Sequence, residues 1–138
     1  MKIFTNLLLL AAVILFAACS KENMAIIDVF ADPSVLQGKW KLSESLADPG
    51  DGSGEWREVP RKLSTSIVFD ANGRLSGDAF PGFTTYVVQD SVTLKFTKAD
   101  GVTYQDYRYK LQGGALSMSP AGPIMCFEAC GIRFKKVD

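Results

Sequence analysis

Histidine is absent from this chain. That removes the commonest general base and the commonest transition-metal ligand together. Neither sign of charge predominates: Lys and Arg number 15, and so do Asp and Glu. Such a balance gives no electrostatic footprint for nucleic acid or for an anionic membrane. Cysteine is scarce, with three residues. There is no G-x-S-x-G turn, no paired-histidine metal helix and no phosphate-cradling glycine loop. No base, nucleophile and charge stabiliser gather in one neighbourhood. The chain is therefore expected to carry no cofactor or metal and to perform no catalysis. It has no long internal repeat and no low-complexity tract.

What is present begins with a leader. Lys2 supplies a short positive segment, and Leu7 to Phe16 is an unbroken apolar run. A membrane-crossing helix needs about 18 to 20 such residues, so the run fits a signal sequence instead. Phe16-Ala17-Ala18-Cys19 follows and resembles the lipobox of bacterial lipoproteins, with Phe16 where Leu is usual. The resemblance implies cleavage after residue 18 and lipid on Cys19. Residues 1–18 are then a signal peptide, 19–31 a lipidated tether and 32–138 the folded domain. Ser20 is not the aspartate associated with inner-membrane retention. The expected location is the cell envelope of a Gram-negative bacterium, anchored to the outer membrane. An ordinary signal peptide or a membrane anchor is the alternative.

With Cys19 assigned to lipid, Cys126 and Cys130 remain, in a compartment where disulfides persist. Four extended residues span about 13 Å, whereas bonded cysteines need Cα atoms within about 7 Å. A bond therefore requires the chain to turn through Phe127-Glu128-Ala129. Two free thiols are the alternative.

The tether carries Met24, Ile26, Ile27, Val29 and Phe30 and is more apolar than a free linker. Asp32-Pro33-Ser34-Val35-Leu36-Gln37-Gly38 then combines a cap, a helix-starting proline and a stopping glycine, and predicts one helical turn. Beyond it the apolar period becomes two. Trp40, Leu42 and Leu46 fall on one face, as do Leu63, Thr65, Ile67 and Phe69. The stretches Val92–Phe96, Tyr107–Leu111 and Ile132–Phe134 alternate cleanly, and Leu116 and Met118 mark a shorter strand. Asn72-Gly73 and Asp100-Gly101 predict type I′ hairpin turns, and Gln89-Asp90 and Gly113-Gly114 mark two more. The pattern predicts an all-β fold: a single small antiparallel up-and-down β-barrel of about eight strands, preceded by a short helical turn.

Gly38-Lys39-Trp40 opens the first strand and resembles the G-x-W signature of lipocalins. In that family the Trp plugs one barrel end, and a basic residue of the last strand packs on its ring. Arg133 is the residue that matches, and the resemblance implies a cation–π contact between it and Trp40. A wider likeness is to the small lipocalin-like lipoproteins of Gram-negative bacteria. It rests on Leu36–Leu42, Asp48–Gly54 with Trp56, Ile67–Gly73 and Cys126–Cys130 before Arg133-Phe134-Lys135. Two features of the larger lipocalins are missing, a second signature around T-D-Y and a C-terminal helix. Both absences count against a capacious cavity.

The expected function is that of a membrane-anchored binding module for a small apolar or amphiphilic molecule, which Phe69, Tyr86, Leu94, Phe96, Tyr107, Tyr109 and Met118 would line. A small barrel can equally fill with its own side chains. The alternative is then a protein-interaction or inhibitor module, acting on an envelope protein through barrel-end loops. Ala79-Phe80-Pro81-Gly82-Phe83 would either fold over the barrel mouth or anchor such a partner. The glycine-rich acidic loop Asp48–Glu55 reads as a hairpin connection, with calcium as the lesser alternative.

Overall fold

The computed structural model describes residues 32–137. The predicted leader, Cys19 and the tether lie outside the described residues. Nine strands form a nearly closed antiparallel barrel. A helical turn, α1 (Pro33–Leu36), precedes β1 (Gly38–Ala47), β2 (Trp56–Glu58) and β3 (Ser66–Phe69). Then come β4 (Leu75–Gly77), β5 (Phe83–Val88), β6 (Thr93–Lys98), β7 (Tyr104–Gln112), β8 (Ala115–Gly122) and β9 (Cys130–Val137). β2 and β3 pair with successive halves of the same edge of β1, so nine strands occupy eight positions. β9 returns to the other edge of β1 and closes the ring. Between β4 and β5 the ladder thins to one bridge, Arg74 to Thr85, and a bond from the Tyr86 N–H to the Gly73 carbonyl at 2.8 Å.

The alternating residues face inward as the period-two pattern requires. Trp40, Ile67, Phe69, Tyr86, Leu94, Phe96, Tyr107, Tyr109, Leu116, Met118 and Phe134 are all buried. Leu42, Val88 and Ile132 pack against them half-buried. α1 caps one end of the barrel. Asp32 accepts the Ser34 N–H, Pro33 starts the turn, and Leu36 is fully buried. The Trp40 indole N–H donates to the Leu36 carbonyl at 2.6 Å, which satisfies the one polar atom of that ring and pins cap to plug.

Phe80 closes the interior from the other end. Its ring centroid lies 5.1 Å from Phe96, 5.2 Å from Tyr107 and 6.1 Å from Phe134. Of the two alternatives for the Phe80 loop, folding over the mouth is the one observed. Phe69 meets Tyr86 edge-on at 4.9 Å, and Phe96 and Tyr107 sit 5.0 Å apart. Aromatic contacts therefore run across the barrel from one wall to the other.

Three expectations need correction. Leu46 does not share a face with Trp40 and Leu42. One extra residue interrupts β1, since Leu42 is opposite Phe134 but Glu44 is opposite Arg133. A one-residue slip inverts the facing of all that follows. Leu63 is exposed in a 3₁₀ turn, Arg61–Leu63, and the strand starts only at Ser66. Pro60 stands just before that turn, where a strand cannot continue its ladder. The Asn72-Gly73 and Asp100-Gly101 turns are also not type I′, which needs positive φ at both residues. Among the described residues only glycines have positive φ, and the Gly73 N–H bonds back to the Asp70 carbonyl. These are type I turns closed by a left-handed glycine. Gly113-Gly114, with φ of 59° and 74°, has the primed geometry.

Burial pushes the Tyr107 phenol up to about 12 from its ordinary 10.0. Its proton is therefore held more tightly folded than unfolded. The stability this contributes is complete below pH 10 and is lost as pH climbs towards 12. The melting temperature should hold steady to about pH 9.5 and then fall. In Tyr107→Phe that alkaline fall should be shallower, which a pH series of thermal melts would check.

Candidate interaction site at the barrel rim

The end opposite α1 carries the β1–β2, β4–β5, β6–β7 and β8–β9 connections. The last of these stands apart in chemistry. Between β8 and β9 the chain reads Pro123-Ile124-Met125-Cys126-Phe127-Glu128-Ala129. Ile124 is 72% exposed, Met125 64% and Phe127 105%. Burying side chains of this size is worth about 1.5–3 kcal/mol each. The fold forgoes that gain here while holding the backbone in place.

Four ties hold it. Cys126 and Cys130 form the disulfide, with Cα atoms 6.2 Å apart, so the chain turns through residues 127–129 as the bond requires. The Gln105 side chain, 4% exposed, points from β7 to the loop. Its amide N–H donates to the Ile124 carbonyl at 2.8 Å, and its amide oxygen accepts the Ile124 N–H at 3.2 Å. Gln105 thus imitates a neighbouring strand for one residue of loop. Met125 bridges back to Ala121. The Asp48 N–H donates to the Ala129 carbonyl at 2.9 Å, which joins this loop to the β1–β2 connection.

The neighbouring β1–β2 loop is acidic and self-contained. The Asp48 carboxylate accepts N–H groups from Gly50, Gly52 and Gly54, at 2.7, 3.2 and 2.8 Å. The Gly50 bond, then that of Gly54, holds its carboxyl below the ordinary range. Both carboxylate oxygens are turned onto the loop's own backbone, so Asp48 staples a hairpin connection. Gly50 must be glycine, with φ at 101°, and the Glu128 carboxylate lies beside it. The apolar tip is therefore flanked by Asp48, Asp51 and Glu128.

The residues singled out in the sequence separate into three places. Gly38 and Trp40 sit at the capped end, as the barrel plug requires. Phe69, Tyr86, Leu94, Phe96, Tyr107, Tyr109 and Met118 come together inside, packed on one another. Arg133 is not on Trp40. It faces outward, with its guanidinium 4.0 Å from the Trp56 ring centroid. It also donates to Glu44 at 2.7 Å and to Ser117 at 3.2 Å. The cation over Trp40 is Lys136, at 5.4 Å, directly opposite Trp40 in the ladder. Parity explains the exchange: Ile132, Phe134 and Lys136 share the inner side of β9, and Arg133 lies between them.

Sequence reasoning missed Ile124, Met125 and Phe127 as a group. The available signal was an apolar cluster in a segment too short and too punctuated for a strand. Comparison with family models, curated proteins and solved structures finds no match to this chain.

Replacing Gln105 by Leu fits the same space but removes both amide bonds to Ile124. Hydrogen exchange at Ile124 should accelerate by about tenfold, since a lost bond of about 1–1.5 kcal/mol gives that factor. Exchange at Leu94 and Phe96 should not change. Unchanged exchange at Ile124 would mean that the disulfide alone fixes the loop.

Proposed function

We propose that this chain is a lipid-anchored module of the cell envelope that docks a protein partner through its β8–β9 loop. One observation carries the reading: Phe127 is fully exposed, and Ile124 and Met125 largely so, on a loop that four ties hold in place. Interface hot spots are aromatic and aliphatic anchors presented with little entropy left to lose. The leader and Cys19 support the anchor, and Gly38 and Trp40 at the plugged end support the lipocalin-like family reading.

The packed interior favours this over the small-ligand reading. A ligand inside the barrel would need the space where Phe80 meets Phe96, Tyr107 and Phe134. Side chains at protein density leave few voids larger than a water molecule. A partner cleft that accepts the loop would be apolar within and basic at its edge, to meet Asp48, Asp51 and Glu128.

Native mass spectrometry of the chain purified from its own membranes separates the two readings. A bound protein that is lost with Phe127→Ser, at an unchanged melting temperature, is the expected result. A co-purifying apolar small molecule that survives Phe127→Ser would overturn the proposal.

A further inference from the structure

The balanced charge of the sequence is not balanced in space. The outer residues of β1, β9 and β7 include Lys39, Lys41, Lys135, Arg133, Lys110 and Arg108. Lys41 and Lys135 stand directly opposite each other in the β1–β9 ladder. Like charges so placed destabilise a sheet. Among the described residues the one ion pair on this face is Arg133 with Glu44. Glu58 and Asp32 lie at its margins. Between the cations the sheet carries small residues, Ala115, Ser117, Ser119 and Gly131, with the Trp56 ring lying over Gly131. Four acids stand on or beside this face: Asp106 on the outer side of β7, Glu44 and Glu58 beside Lys41 and Lys135, and Asp78 within reach of Lys39, while Asp48, Asp51, Asp100 and Glu128 lie at the loop-bearing rim, so the cations are in modest excess.

The same face is where the chain arrives. An open groove of about 720 Å³ runs along its β7–β8 part, where Arg108 and Lys110 stand beside apolar Trp56, Val92 and Leu111, and Asp32 and Val35 also line it. Asp32 is the first described residue, and twelve residues separate it from Cys19. At ~3.5 Å per residue those twelve span at most about 40 Å. A lipid on Cys19 would thus keep the barrel within about 40 Å of a bilayer, joined to it near the edge of its cationic side.

We propose that the β1–β9–β8–β7 face of the barrel lies on an anionic phospholipid surface, with Lys41, Lys110 and Lys135 among the headgroups. This rests on the lipid-anchor reading for its geometry, and on that excess of cations for its chemistry. Each cation near such a surface adds about fivefold to the attraction, and a tether converts weak attraction into stable contact. It also accounts for the opposed pair: lysines that repel one another in water are both satisfied beneath a layer of phosphates. The stems of these lysines let their ammonium groups reach the headgroups from a flat sheet.

Lysine acylation read by mass spectrometry tests this on the full chain purified from its own membranes. The chain is reconstituted on phosphatidylcholine vesicles and on vesicles with about one third phosphatidylglycerol. Lys41, Lys110 and Lys135 should label at least about fivefold more slowly on the anionic vesicles. Lys95 and Lys98 should label equally on both. One molar salt, with a screening length of about 3 Å, should abolish the difference. In Lys41→Gln/Lys135→Gln the protection of Lys110 should disappear while the melting temperature holds or rises. Equal labelling on the two vesicles, with the chain attached to both, would overturn the docking face and leave the anchor standing. Attachment to anionic vesicles alone would overturn the anchor and uphold the face. Attachment to neither would overturn both.

Discussion

The register between β1 and β9 governs the rest of this molecule. It closes the ring, and it carries one irregularity, the extra residue between Leu42 and Glu44. Before the irregularity Trp40 and Leu42 turn inward opposite Lys136 and Phe134. After it Glu44 and Leu46 turn outward, opposite Arg133 and Gly131. One tryptophan therefore plugs the barrel under a lysine. The other, Trp56, is paired with Leu46 and stacks on Arg133 outside. A Cβ at position 131 would fall 3.0 Å from the Trp56 ring, so glycine there is a consequence of the same register. The lysine pair at 41 and 135 is another.

Much of the barrel was legible in the sequence because period-two alternation is a direct image of a sheet with one dry face. Val92–Phe96 and Tyr107–Leu111 show this well: every residue placed inward there is inward. The same reasoning misplaced Leu46 and Leu63. A bulge and a 3₁₀ turn each shift the phase without leaving a mark in composition. The Asn72-Gly73 and Asp100-Gly101 turns were located correctly but assigned the wrong geometry, because Asp70 and Asp100 offer carboxylates that favour a type I turn. Arg133 was matched to Trp40 by resemblance, although its parity between Ile132 and Phe134 already placed it outside. The rim loop was the least legible feature. Exposed Ile124, Met125 and Phe127 look in sequence like core residues, and only the disulfide and Gln105 reveal that they are held outward.

The interior and the outer surface of this small barrel differ sharply in chemistry. The interior is occupied by aromatic rings from both walls and both ends, which gives rigidity and leaves little for a guest. The outside carries two features: an apolar tip edged by carboxylates, and a side with a modest excess of cations.

The register claim is the one on which all this stands, and a nuclear Overhauser spectrum of the two tryptophan rings tests it directly. The account predicts contacts from the Trp40 ring to the Lys136 side chain and from the Trp56 ring to that of Arg133. Contacts from Arg133 to the Trp40 ring would contradict it, because β9 would then be slipped by an odd number of residues, three to bring Arg133 opposite Trp40, and the outward charges of β9 would be misassigned.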